Sequence, residues 1–200
     1  MPEPPDSPEA QDTIANPHPL AERLIERFGA DARRRILDFA SGSGRNARAL
    51  RAAGFTVVAI DDAAAASKTP FAGVTGEFAA AISTHGLLHG TAATVAENLN
   101  SIAARLQHNG VVYATFGSSR DARFGTGNSI DESTFASTHG DERGIPHAFF
   151  DRTQLLGLLD REFIVESLDE RGVDELAGGW AHRDRPLRGA VHWFVVARKR

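Results

Sequence analysis

The sequence predicts an α/β domain: a mostly parallel sheet with helices on both faces and an antiparallel strand pair at its C-terminal end. Three observations carry this. From residue 20 onward, apolar runs of strand length alternate with amphipathic stretches of helix length. The first run enters a glycine-rich turn, "SGSG", that leads straight into a helix. The last two runs, "EFIVESLDE" and "GAVHWFVVARK", are joined by a segment containing Gly178, Gly179 and Pro186, which leaves no room for a crossover helix, so they pair antiparallel at one edge. A chain of 200 residues with 42% hydrophobic content suffices for one full core.

Each element has its own signal. "MPEPPDSPEAQDTIANPHP" holds six of the nine prolines and little to bury, so residues 1–14 read as a disordered tail and 15–200 as the domain. Leu20, Leu24, Ile25 and Phe28 recur at helical spacing and stop at Gly29. "RRRILDFA" is the first strand. "RNARALRAAG" is a helix terminated by Gly54. "FTVVAIDD" is a buried strand ending in two acids, and "FAAAIST" is the next. "TAATVAENLNSIAARLQHNG" is a helix with Val95, Leu99, Ile102 and Leu106 in one stripe, followed by the strand "GVVYATFG". Residues 118–148 are polar and too long for a passive connection, so they are expected to cover a site. Asp151 and Gln154 have capping-box spacing ahead of Leu155, Leu156 and Leu159.

Composition narrows the function classes. The net charge is −4 and the basic residues are scattered, which argues against a nucleic-acid face. The chain has no cysteine, which excludes disulfides, thiolate metal sites and cysteine nucleophiles. No secretory leader and no membrane-spanning run are read from it, so a cytoplasmic protein with no membrane partner is expected.

Gly42, Gly44 and Ala47 match G-x-G-x-x-A, and Asp61 follows at the distance of a ribose-binding acid. A dinucleotide is one candidate occupant, but three details count against it. Asp38 ends the strand four residues before Gly42, where such folds carry apolar residues. No second βαβαβ half is present. The only tyrosine, Tyr113, sits in a buried-looking strand, so no Tyr–Lys hydride-transfer pair is evident.

"RRRILDFASGSGRNARALRAAGFTVVAIDD" resembles the first motif and following acid of the class I S-adenosylmethionine-dependent methyltransferases, D-x-G-x-G-x-G. "SGRNA-x-x-L-x-x-x-G" together with "HAFFDRTQLLGLLD…AHRDRPLRGAVHWFVVARKR" resembles the small tellurite-resistance-type members of that family. The resemblance implies a Rossmann-like fold, S-adenosylmethionine as cofactor and a small-molecule acceptor, such as an oxyanion or another small nucleophile. By position, it places Gly42 and Gly44 at the methionine part of the cofactor, with Asp38 anchoring that turn and reaching toward the amino group. Asp61 falls at the ribose and Ser83, Thr84 and His85 near the sulfonium, while Ala40, Asn46 and Asp62 are further cofactor-binding candidates. His182 and Arg183 match the subgroup's His-Arg step, which with His85 makes three candidate catalytic residues, Arg183 to clamp an anionic acceptor and a histidine to act as base. His89 stands i, i+4 from His85, but no third ligand lies near in sequence, so no metal site is expected.

Two departures from the family pattern stand out. Ala40 replaces the first glycine, which requires φ below zero at that residue. Only "DAAAASKTPFAGVTGE" separates the second acidic strand end from "FAAAIST", too little for the family's helix and third strand. That strand is therefore expected to be missing, leaving residues 55–60 as a sheet edge and a shallow adenine pocket walled by Pro70 and Phe71. This shortening supports the alternative of a non-catalytic cofactor-binding regulator; a nicotinamide-dependent oxidoreductase is a further alternative. Arg120, Arg123 and His147, in the covering segment, read as single solvated groups. Phe149 and Phe150 suit either the acceptor pocket or the core. Oligomeric state is not legible.

Overall fold

A computed structural model describes residues 16–29, 31, 33–66, 68–140, 142–172 and 189–200. The proposed tail, His182 and Arg183 lie outside these residues.

In chain order the elements are α1 (Pro19–Phe28), β1 (Arg35–Phe39), α2 (Arg45–Ala52), β2 (Thr56–Ile60), a single turn α3 (Asp62–Ala65) and β3 (Phe78–Ser83). Then come α4 (Ala92–Arg105), β4 (Leu106–Ser118), the short β5 (Asn128–Ser129) and β6 (Thr134–Ala136), β7 (Pro146–Phe150), α5 (Arg152–Leu159), β8 (Phe163–Gly172) and β9 (Val191–Lys199). The main sheet runs β2-β1-β3-β4-β9-β8. Its first four strands are parallel, and β9 enters antiparallel between β4 and β8. The predicted antiparallel pair is therefore β8–β9. Among the described residues no strand lies between Ile60 and Phe78, as the short connection implied, and β2 is the outer strand. Arg51 donates to the Val57 carbonyl (3.2 Å), which blunts part of that edge.

Strand alternation sends side chains to two cores. Ile36, Ala80, Ile82 and Tyr113 pack under α1 and α2 through Leu20, Leu24 and Leu50. Leu37, Phe39, Ala81 and Val112 pack under α4 and α5 through Val95, Leu99, Leu155 and Leu159. Each such fully buried large side chain contributes roughly 1.5–3 kcal/mol. The capping box closes as expected: Gln154 N donates to Asp151 Oδ1 (2.8 Å) and Asp151 N to Gln154 Oε1 (2.9 Å).

Three expectations need correction. The long helix stops at Arg105, not near Gly110, because Leu106 turns extended to fill the core and pair with Phe78. Asn109, at φ 61, then bends the strand. Residues 118–148 are not irregular: β5, β6 and β7 form a small antiparallel sheet, anchored where β7 pairs with the tip of β4. Phe71 is no pocket wall. It stacks on Phe39 with ring centroids 5.5 Å apart and belongs to the core.

Candidate functional site

The C-terminal ends of β1, β2 and β3 meet at one cleft of about 200 Å³, lined among others by Ala40, Gly42, Asn46, Asp62, His85 and His89. This is where open α/β sheets hold ligands. A larger hollow of about 490 Å³ lies along α1 and β8, where the Arg27–Glu166 ion pair lines it away from those strand ends.

The turn between β1 and α2 is left-handed at three residues: Ala40 at φ 56, Gly42 at 50 and Gly44 at 74. Glycine suits the last two, but Ala40 does not have the negative φ expected of it, and a left-handed alanine costs about 1–2 kcal/mol. Gly86 makes room for its side chain. A Cβ on Gly86 would come 2.4 Å from Ala40 Cβ, so the two backbones meet only because residue 86 is glycine. Ser41 N donates to the Ile60 carbonyl (2.9 Å) and Gly42 N to Asp62 Oδ1 (3.2 Å), tying the turn to the end of β2. Asp62 thus faces the turn, while Asp61 is exposed beside it.

Beneath the turn lies Asp38, almost wholly buried. Burial pushes its pKa up to about 7, and only partly opposing this are the Ala47 backbone N–H, Arg51 and Arg45. A carboxyl poised in this way would be drawn to its charged form by any cation placed above it.

Ser83 is sealed below the cleft, whereas Thr84 and His85 reach its wall. Thr84 accepts from Asn46 Nδ2 (2.8 Å), and Asn46 Oδ1 accepts from His18 N (2.9 Å). Asn46 therefore staples the N-terminal segment to the end of β3. His85 takes a left-handed φ of 70, and its N–H donates to Thr115 Oγ1 (2.7 Å).

His85 is the centre of a row of buried histidines. Its ring lies 5.7 Å from that of His18 and 5.3 Å from that of His192. Burial, reinforced by neighbouring cations, drives both flanking rings down to about 3, so they are neutral. His18 Nδ1 accepts from Leu20 N (3.1 Å), capping α1, and His192 Nε2 meets Arg123 Nη2 at 3.1 Å. Neither histidine was singled out in the sequence. The His-Pro step at a helix start signals the His18 cap, but nothing local marks His192.

The segment after β4 is organised by Asp121. Its side chain is fully buried and accepts from Arg123 Nε (2.9 Å) and Nη2 (3.0 Å) and from Val191 N (2.9 Å). Arg120 is solvated as read, its side chain 74% exposed, but Arg123 is half-buried on Asp121 and His147 is 3% exposed. Phe149 and Phe150 are buried too. His147 comes to His89 through a backbone bridge, and both rings face Glu142: His89 Nε2 to Oε1 is 3.3 Å and His147 Nε2 to Oε2 is 3.1 Å.

Residues 15–162 match the protein family described as "Methyltransferase domain". No curated protein sequence matches significantly. Among solved structures, the chain is similar to the 1,6-didemethyltoxoflavin-N1-methyltransferase of Burkholderia thailandensis, crystallised with 1,6-didemethyltoxoflavin and S-adenosylhomocysteine (TM-score 0.61, 17% identity, 100% of this chain and 93% of that one). It is also similar to the magnesium protoporphyrin IX methyltransferase of Synechocystis PCC 6803 with bound S-adenosylhomocysteine (0.59, 10%, 100% and 90%). A third is TehB of Haemophilus influenzae (0.56, 12%, 90% and 62%). At these identities the likeness is one of fold, and it does not single out TehB. The family match spans most of the described chain, including the glycine turn and the strand ends that form the cleft: this chain belongs to the methyltransferase domain family.

Proposed function

We propose that the chain transfers a methyl group from S-adenosylmethionine to a small-molecule acceptor in the cytoplasm. One observation supports this most: a buried carboxyl, Asp38, lies beneath a turn with three left-handed residues at the mouth of the strand-end cleft. The residues fit the cofactor. Its amino group would add a cation to the buried Asp38, whose oxygens accept no side-chain hydrogen bond, and the Gly42–Gly44 backbone is open to close approach. Asp61 and Asp62 are acceptors suited to a ribose diol. The cofactor supplies an activated methyl group. The chain's part is to bind, align and keep water out, with Thr84 and His85 walling the cleft and the Asp121-centred segment covering it.

The resemblance of the C-terminal stretch to tellurite-resistance-type enzymes supports an oxyanion or similar small nucleophile as acceptor, with His85, His182 and Arg183 as candidates to orient it. A second reading, a non-catalytic cofactor-binding regulator, is favoured by the small cleft and the missing third strand. Pockets for drug-sized ligands run to roughly 300–1,000 Å³. Two measurements divide these readings. Calorimetry should show S-adenosylhomocysteine binding that Asp61→Ala weakens by roughly 1.5–3 kcal/mol. An acceptor screen read by S-adenosylhomocysteine release should show turnover; binding without turnover on any acceptor favours the regulator.

A further inference from the structure

We infer that His89, Glu142 and His147 form a binding site for a divalent transition-metal ion, zinc by chemistry, at the edge of the cofactor cleft. Each offers one ligand atom, and these atoms all lie within 4.8 Å of one another. Zinc held tetrahedrally by nitrogen and oxygen at about 2.0–2.1 Å sets its ligands about 3.4 Å apart. The two glutamate contacts have that spacing but run to different oxygens, His89 Nε2 to Oε1 (3.3 Å) and His147 Nε2 to Oε2 (3.1 Å). One carboxylate oxygen must turn toward both rings, and the two histidines must close further.

The protonation pattern points the same way. His147 Nδ1 lies 2.9 Å from the Ile145 carbonyl, which can only accept, so Nδ1 carries a proton. That leaves Nε2 as the ring nitrogen that faces the Glu142 carboxylate. The ring is 3% exposed, and Nε2 makes no hydrogen bond. A buried ring nitrogen without a hydrogen bond, 3.1 Å from a carboxylate oxygen, is placed to share a cation with it. A backbone carbonyl fixing the far nitrogen is also the usual outer support of a metal-binding histidine.

The scaffold is rigid and reachable. The His89–His147 bridge and the Gly90 N–H donating to the Pro146 carbonyl (2.8 Å) hold two ligands in place. Arg123, anchored on Asp121, steadies Glu142 from 3.4 Å. His89 lines the cleft, so an ion can enter from it. Three protein ligands leave a position for water or an acceptor oxygen. That last role rests on the methyl-transfer reading; the ion site itself does not.

Equilibrium dialysis of the chelator-stripped full chain against cobalt(II) and zinc(II), without cofactor, tests this. The expected result is about one ion per chain with a tetrahedral cobalt absorption band. Glu142→Gln and His89→Ala should each weaken binding at least about tenfold, and the exposed control His108→Ala should leave it unchanged. Circular dichroism of the same variants reports that they are folded, and S-adenosylhomocysteine binding by the wild-type chain judges the methyl-transfer reading separately. No ion in the wild-type chain, meaning that a proton alone bridges His147 and Glu142, would overturn the inference. So would equal affinity in all variants.

Discussion

The two sides of the cleft are built in opposite ways. The glycine-turn side is one continuous piece of chain, β1 through α3, in which a left-handed backbone sits over a buried acid. The other side, Thr84 to His89, rests on β4 and on the β5–β7 sheet, which side chains converging on Asp121 and Glu142 tie to the start of β9. The first stores strain in the backbone, while the second stores charge in a buried network. Perturbing either should therefore leave a different signature.

Asp121→Ala should have the largest effect. It removes the bidentate partner of Arg123 and leaves the Val191 N–H without its acceptor, so urea unfolding should show a loss of about 3–5 kcal/mol. Residual folded protein should still bind S-adenosylhomocysteine, because the turn is untouched. Asp38→Asn acts on the other side and with the opposite sign on stability. Asp38 titrates at about 7 in the folded chain against an ordinary 3.8. Its stabilisation is thus complete below the unfolded value and is lost as pH rises through 7. At pH 8 the variant should be more stable than wild type, by roughly 1–3 kcal/mol, while S-adenosylhomocysteine binding weakens about 10–100-fold. Ala40→Gly should have the smallest effect, relieving the left-handed residue for a gain of roughly 0.5–1 kcal/mol in the same unfolding assay.

This contrast also explains what the sequence could disclose. Asp38, Gly42 and Gly44 fall within a few residues of one another, so strand, turn and helix announce themselves in register. The capping box at Asp151 and the missing strand after Asp62 were legible for the same reason: each depends only on local spacing. His89 lacked a visible third ligand because Glu142 and His147 reach it through the β6–β7 hairpin, a pairing that no local periodicity encodes. Arg123 and His147 read as solvated for want of Asp121 and Glu142 beside them. The φ of Ala40 was not legible because the room for its side chain comes from Gly86, beyond the end of the neighbouring strand β3.

Proton exchange on binding S-adenosylhomocysteine tests the central claim most directly. Near pH 6.5, Asp38 is largely protonated in the free chain, and a cationic amino group above it would expel that proton. Calorimetry in buffers of different ionisation enthalpy should show proton release by the wild-type chain and none by Asp38→Asn, with affinity falling as pH drops below 7. Tight binding without proton release, or an Asp38→Asn variant that binds as wild type does, would contradict the assignment of the cofactor to this cleft.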